Sequence, residues 1–267
     1  MSNTTAWEHI EIVRQKNRPT VRDYIPAVFT HFIEMHGDRY FGDDPAIIGG
    51  IARFNRIPVT VIGQVKGRNL EENKQSNFAM AHPEGYRKAL RLMKQAEKFG
   101  RPVICLVDTA GAYCGIEAEE RGQHEAIARN LMEMMELRTP VISIILGEGG
   151  SGGALGLSVC DELAMLQNAT YSVISPRGFA SILWKDASRE QEAANLIRIT
   201  AEDLTEFGIC DAIIPEPKGG AHKNPGLAAE AISTYLRDTL PNFLSKPIDI
   251  LLENRYSKFR KIGVFAE

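Results

Sequence analysis

Thr139-Pro140-Val141-Ile142-Ser143-Ile144-Ile145-Leu146-Gly147-Glu148-Gly149-Gly150-Ser151-Gly152-Gly153-Ala154-Leu155 is the stretch that decides the fold. Its first half is a short apolar run, 141–146, led by a proline, which fits the start of a strand because the ladder does not need its missing N–H there. Only Ser143 interrupts the apolar residues, so this strand is expected to be covered on both faces, as in a parallel sheet. The second half holds five glycines in the seven positions 147–153 and runs into a helix expected over 153–159. The same opening occurs twice upstream. Arg56-Ile57-Pro58-Val59 introduces the run 59–65, and Arg101-Pro102-Val103 introduces 103–107. Intervals of roughly 40 residues lie in the range where repeats mean stacked supersecondary units.

Helical periodicity fills the intervals. Over 83–99, Ala89, Leu92, Met93, Ala96 and Phe99 share one face, Arg87, Lys88, Arg91 and Lys94 surround the other, and Gly100 closes the segment. A second helix is expected over 118–137, with Ile127, Leu131, Met134 and Met135 as its stripe. Buried strands alternating with amphipathic helices indicate an α/β class with parallel strands. Residues 1–267 read as a single domain with an N-terminal helical arm over about 1–35 and a C-terminal helical extension over about 225–267. That extension is expected to be helical over 225–235 and again over 247–261.

Composition narrows the function. Of 267 residues, 44% are hydrophobic and 24% charged, as in an ordinary globular chain, and a net charge of -3 leaves no basic footprint for nucleic acid or an anionic membrane. The first eighteen residues lack the apolar core of a signal peptide, and no apolar run approaches a membrane span. The cysteines, Cys105, Cys114, Cys160 and Cys210, form no C-x-x-C pair. This argues against a structural zinc or a disulfide framework and suits a reducing, cytoplasmic setting.

A glycine turn between a buried strand and a helix aims backbone N–H groups at one point and lets a ligand approach closely. Three chemistries compete for it. Gly147-x-Gly149-x-x-Gly152 satisfies the dinucleotide fingerprint, but Gln167, Asn168 and Ala169 stand where the ribose-binding acid belongs. Gly149-x-Ser151-x-Gly153 matches a nucleophile elbow, with Asp211 and His222 following in triad order. A serine amid glycines is more often a helix N-cap, however. The third chemistry is an oxyanion hole. Asp108-Thr109-Ala110-Gly111-Ala112-Tyr113-Cys114-Gly115 follows the neighbouring strand, so two glycine-bearing turns meet at the carboxyl edge of the sheet, where α/β folds bind ligands. Cys114 with His82 or His124 as base lacks a supporting local pattern. The basic face of 83–99 reads as solvated.

At these turns the sequence closely resembles the carboxyltransferase alpha subunits of bacterial acetyl-CoA carboxylase, within the crotonase superfamily. The resemblance is carried by Asp108 to Gln123, Gly147 to Leu155, His36-Gly37-Asp38-Arg39, Lys66-Gly67-Arg68, the stretch from His82 to Met93, Ser181 to Asp186, and Thr200 to Leu204 with Gly208 and Asp211. Departures are Ala110 and Cys114, where prolines are common, and Arg177, where a glutamate is usual.

The resemblance implies a crotonase-like spiral of ββα repeats. It implies transfer of a carboxyl group from carboxybiotin, on a biotin carboxyl carrier protein, to acetyl-CoA, giving malonyl-CoA for fatty acid biosynthesis. A separate biotin carboxylase spends the ATP. The partner is a beta subunit, in an alpha2beta2 assembly, with any zinc held by that partner and no metal here. On this reading the backbone of Gly152 and Gly153, helped by Gly149 and Gly150, stabilises the oxyanion, while Gly111, Ala112 and Gly115 bind substrate. A stand-alone serine hydrolase or another acyl-CoA-handling crotonase-type enzyme is the alternative, and a catalytically silent scaffold is a third.

Overall fold

In the computed structural model, which describes residues 4–263, the three proline-led runs are adjacent strands of one eight-stranded sheet. Helices α1 (Ala6–Val13) and α2 (Val21–Val28) precede an antiparallel meander of β1 (Thr30–Glu34), β2 (Ile47–Phe54) and β3 (Ile57–Gln64). After α3 (Leu70–Gln75) and α4 (Pro83–Lys98), β4 (Val103–Thr109) pairs parallel to β3. After α5 (Ile116–Glu120) and α6 (Gln123–Met135), β5 (Val141–Gly150) pairs parallel to β4. Next come α7 (Ser151–Leu155), β6 (Glu162–Leu166), β7 (Thr170–Ser172), α8 (Pro176–Trp184), α9 (Glu190–Leu196), α10 (Ala201–Glu206) and β8 (Ala212–Ile214). The C-terminal helices are α11 (Pro225–Leu244) and α12 (Ile248–Arg260). The sheet order is β1-β2-β3-β4-β5-β6-β8, with β7 paired to β5 off that path.

Strand β5 makes the site possible. Its residues Ile142 to Ile145 pair with β6, whereas Glu148, Gly149 and Gly150 pair with Thr170, Tyr171 and Ser172 of β7. The β4–β5 register shifts between Val107 and Thr109, at the same level. At the glycines β5 exchanges β6 for β7 as its neighbour, and α7 follows directly. Both faces of the central strands are closed: Val103 to Val107, Val141, Ile142, Ile144 and Ile145 are wholly buried, as are Tyr86, Ala89, Leu92, Met93 and Ala96 of α4.

Four details differ from the sequence reading. The helix expected over 118–137 is two helices, because Gly122 adopts a left-handed φ of 79° that ends α5 and starts α6. The N-terminal arm is helical only to Val28, and 30–34 is instead an edge strand on β2. Helix α11 continues through Pro241 to Leu244, since Leu240 and Phe243 are buried against the core. The basic face of α4 is not solvated: Lys88 is 1% exposed and bonds the Asp44 carbonyl at 3.1 Å, and Arg87 Nε donates to Asp38 at 2.8 Å. Arg91 Nε donates to the Gly37 carbonyl at 3.0 Å, so this face fastens the loop around residues 36–44. Helix α12 is held by Arg255, fully buried, which pairs with Asp161 at 2.7 Å and donates to the carbonyls of Met134 and Leu137 at the open end of α6.

Candidate active site

The two glycine turns lie in backbone contact. A Cβ added at Gly150 would fall on the carbonyl of Ala110, and one added at Gly153 would fall on the amide nitrogen of Ala112, 2.8 Å from the Gly111 oxygen. At Gly147 it would stand 2.7 Å from Asp108 Oδ1, and at Gly149 2.8 Å from the Tyr171 ring. The Tyr113 ring occupies the corresponding space at Gly115. Most of the glycine density is therefore required by packing. Gly152 differs, with Ile127 as its nearest neighbour at 3.8 Å, and Gly111 has nothing within 4 Å. These two positions are open.

Hydrogen bonding separates the candidates further. The Gly111 amide donates to Thr109 Oγ1 at 3.1 Å, and the Thr109 hydroxyl donates back to the Gly111 carbonyl at 2.7 Å. Gly149 and Gly150 are ladder residues of β5, in register with Tyr171 and Ser172. Gly152 and Gly153 fall in the first turn of α7, where N–H groups have no acceptor within the helix.

Ser151 is not the N-cap. Gly150 holds that position without a side-chain cap, and Ser151 sits at a left-handed φ of 53°. That backbone resembles a nucleophile elbow, but its partners are elsewhere. Asp211 accepts the Leu163 amide at 2.7 Å and pairs with Lys258. His222 lies beside Gly220, where burial, Lys223 and Arg18 lower its pKa. The serine triad is thus not assembled. For a dinucleotide, α7 is a five-residue helix, and Gln167 accepts the Glu216 amide at 3.2 Å.

Around the turns lie three spaces. An apolar cleft of about 710 Å³ is lined by Ser151, Gly152, Leu155, Tyr171, Val173, Ile174, Phe179, Leu196 and Phe207, among others. A cavity of about 60 Å³ lies behind the turn, between Arg14, Ala110, Glu148, Gly149, Gly150, Ser172 and Ser175. A polar pocket of about 160 Å³ is bounded by Arg14, Lys16, Arg18, Lys66, Arg68 and Asp108.

Between the two polar spaces runs a charge cluster that the sequence reading did not assemble. Lys66 Nζ lies 2.9 Å from Glu148 and 3.4 Å from Asp108, and Arg14 pairs with Glu148 at 2.8 Å. Asp108 Oδ1 also accepts the Glu148 amide at 3.0 Å. Burial opposes the charge on Glu148, but Lys66 and Arg14 outweigh it and hold the pKa at about 2. Burial likewise opposes the Lys66 charge, and Asp108 and Glu148 more than offset it, raising the pKa. Nearby, buried Arg18 donates to the Leu146 carbonyl at 2.6 Å and pairs with Glu216 at 2.8 Å. One signal was visible in sequence. A lone carboxylate among glycines at the end of a buried strand needs a cation.

The sequence and the fold have known counterparts. The family model described as acetyl co-enzyme A carboxylase carboxyltransferase-like matches residues 1–263. The chain belongs to this family. It is therefore a carboxyltransferase component of a biotin-dependent enzyme. It is 59% identical over 263 residues to the acetyl-coenzyme A carboxylase carboxyl transferase subunit alpha of Clostridium acetobutylicum, covering 98% of this chain and 96% of that one. It is also 59% identical to the subunit of the same name from Shouchella clausii, covering 100% of this chain and 82% of that one.

Among solved structures, transcarboxylase 12S superposes with a TM-score of 0.69 at 17% identity, over 92% of this chain and 47% of that chain. The Pseudomonas malonate decarboxylase MdcD-MdcE heterodimer gives 0.64 at 18% identity, covering 82% and 89%. Both likenesses establish the crotonase-like carboxyltransferase fold. Among the described residues, no cluster of His, Cys, Asp and Glu is placed to hold a metal, and no helix is long and apolar enough to cross a membrane.

Proposed function

We propose that this chain supplies the biotin-facing half of a two-subunit active site that carboxylates acetyl-CoA to malonyl-CoA. The observation that carries this reading is Gly152. It is the one glycine of the 147–153 turn that packing leaves open while it also lines the apolar cleft. An uncharged ureido ring fits such a place, with apolar walls for its faces and backbone donors for its oxygen. When bound, carboxybiotin supplies the carboxyl group, and its ureido oxygen gains negative charge as that group leaves.

The amides of Gly152 and Gly153 donate to that oxygen. Donors of this kind contribute roughly 100- to 1,000-fold each, because they are fixed before charge develops. Gly111, with its own amide given to Thr109, contributes open surface, and Ala112 beside Gly153 is the better donor of that turn. Gly149 and Gly150 brace the strand from within the ladder, and Gly115 gives the Tyr113 ring its place. The Arg14–Glu148–Lys66–Asp108 cluster holds the end of β5 at the start of the turn.

No side chain of the cleft is suited to act as a base. Burial pushes the Tyr171 hydroxyl up to about 12, so it stays protonated near neutrality. The proton of the acetyl methyl must go to a group brought by the substrates or the partner.

Residues 1–267 act as a single domain, a reading supported by one sheet and one large core, with a small satellite cluster of Ile10, Ala194 and Ile199. The beta subunit completes the site in an alpha2beta2 assembly and holds any zinc. A biotin carboxyl carrier protein brings the carboxybiotin made by a biotin carboxylase at the expense of ATP, all in the cytoplasm. Val173, Leu196 and Phe207, which line the cleft, are 82%, 59% and 45% exposed, which suits burial under a partner. The test is to purify the chain alone and with its native partners and measure malonyl-CoA formation from carboxybiotin and acetyl-CoA. Activity only in the assembly supports the proposal. Robust synthesis by the single chain overturns it.

A further inference from the structure

We infer that Gln64 is a positioning residue for the glycine turn, a single buried side chain that ties both turns together. Its amide nitrogen donates to the Gly153 carbonyl at 2.8 Å, and its amide oxygen accepts the Asp108 N–H at 3.2 Å. Gln64 is wholly buried at the end of β3, one strand away from β4. It therefore reaches the first residue of one turn and the last glycine of the other. This inference rests on the proposed role of Gly152 and Gly153 as oxyanion donors.

The need for such a tie follows from α7 itself. A helix of five residues with two glycines has almost no stability of its own. Its geometry also leaves the Gly153 carbonyl without the usual acceptor role. Leu157 donates to Ala154 at 3.0 Å and Gly156 to Gly152 at 2.9 Å, so neither takes Gly153. Gln64 supplies the missing donor, with the buried Tyr86 hydroxyl as a second one at 3.3 Å. Gln64 thereby fixes the peptide plane between Gly153 and Ala154. The plane that carries the Gly153 N–H is held on its other side by the bond from Gly156 to the Gly152 carbonyl, so the Gly153 amide is confined between two fixed planes. At its other end Gln64 holds Asp108, whose carboxylate receives the Glu148 amide at 3.0 Å. The entry and the far end of the glycine turn are thus referenced to the same side chain.

The experiment uses the assembled carboxyltransferase carrying Gln64→Met, which keeps length and burial and removes both hydrogen bonds. Displaced donors should lower kcat per assembled complex by roughly 10- to 100-fold, while KM for acetyl-CoA stays unchanged. A purely structural role would lower Tm and yield but leave kcat per complex intact. Turnover within twofold of the parent overturns the inference. Where Gln64→Met does not assemble, Tyr86→Phe removes the other donor to the same carbonyl. A severalfold fall in kcat at constant KM then supports the inference, and an unchanged kcat overturns it. Gly152→Val, run alongside, separates the two readings. If it is inactive while Gln64→Met is fully active, only the role of Gln64 fails. If it is active, the assignment of the turn itself fails.

Discussion

Gly152→Val distinguishes a turn shaped by packing from a turn shaped for a ligand. The nearest atom to a new Cβ there is Ile127 Cγ2 at 3.8 Å, an ordinary van der Waals contact. Gly152 is not among the residues with positive φ, so valine meets no backbone strain. Within a helix, valine is a few tenths of a kcal/mol better than glycine, so stability should hold within about 0.5 kcal/mol. The branched side chain instead adds bulk between Ile127 and the rim of the 710 Å³ cleft that Gly152 lines. Excluding the ligand from one oxyanion donor costs about 2.7–4 kcal/mol in the transition state, a fall in turnover of roughly 100- to 1,000-fold or more. The assay is steady-state malonyl-CoA formation by the assembled complex, with Tm and assembly size measured on the same sample. Gly152→Ala, adding one carbon, should fall between parent and valine variant. An assembled valine variant with near-normal turnover would refute the reasoning and move the oxyanion site to the 111–115 turn.

Gly153→Ala should behave in the opposite way: its Cβ would fall on backbone of the neighbouring turn, so about 1–3 kcal/mol of stability is lost. A clear drop in Tm or failed assembly checks this, and an unchanged Tm would show that the turns are not in contact. Ser151→Gly should raise or maintain Tm, since a left-handed backbone costs a non-glycine residue about 1 kcal/mol, and should retain turnover. Labelling of Ser151 by a fluorophosphonate would instead revive the hydrolase reading. For acid stability, Glu148 is held at about 2 against an ordinary 4.5, so its contribution is complete above about 4.5 and is lost as the pH falls towards 2. Denaturation of parent and Glu148→Gln across that window should show the gap between them closing with acid; a constant gap would refute the assignment.

The parallel centre of the fold was legible because proline-led apolar runs leave few alternatives. Strands β4 and β5 begin at Val103 and Val141, as read from sequence. Their ends were not legible. Strand β5 continues to Gly150 because it pairs with β7, and neither glycines nor the short segment Thr170–Ser172 carry a strand pattern of their own. Strand β1 escaped for a related reason. Four of its five residues are exposed, so no alternation marks it, and only pairing with β2 makes it a strand. Gly122 shows the converse: the sequence reading runs the helix through it from Ala118 although the apolar stripe begins only at Ile127, and a single left-handed residue divides the segment.

In the site, the sequence located the two turns and assigned their glycines ligand roles, but could not tell a glycine required by packing from one left open for a ligand. A missing Cβ looks alike whether it admits a neighbouring backbone, as at Gly150 and Gly153, or leaves room for a ligand, as at Gly152. Charges posed a similar problem. Arg14 and Glu148 are 134 positions apart and Arg18 and Glu216 are 198 apart, so no local pattern could join them. These long-range ties answer a chemical requirement. Backbone N–H groups stabilise a developing oxyanion well only if they need not reorient when the charge appears. A flexible glycine turn standing alone would fail that condition. Here Gly150 and Gly153 are wedged against the backbone of the second turn, the Gly153 carbonyl is bonded by Gln64, and the strand leading in is gripped by Lys66, Arg14 and Asp108. The residues that make the turn rigid are thus distinct from the open one, Gly152, that meets the ligand, and mutations should divide along that line. At Gly152 turnover falls while stability is kept, whereas wedging residues such as Gly153 lose stability and the tie at Gln64 loses turnover through displaced donors.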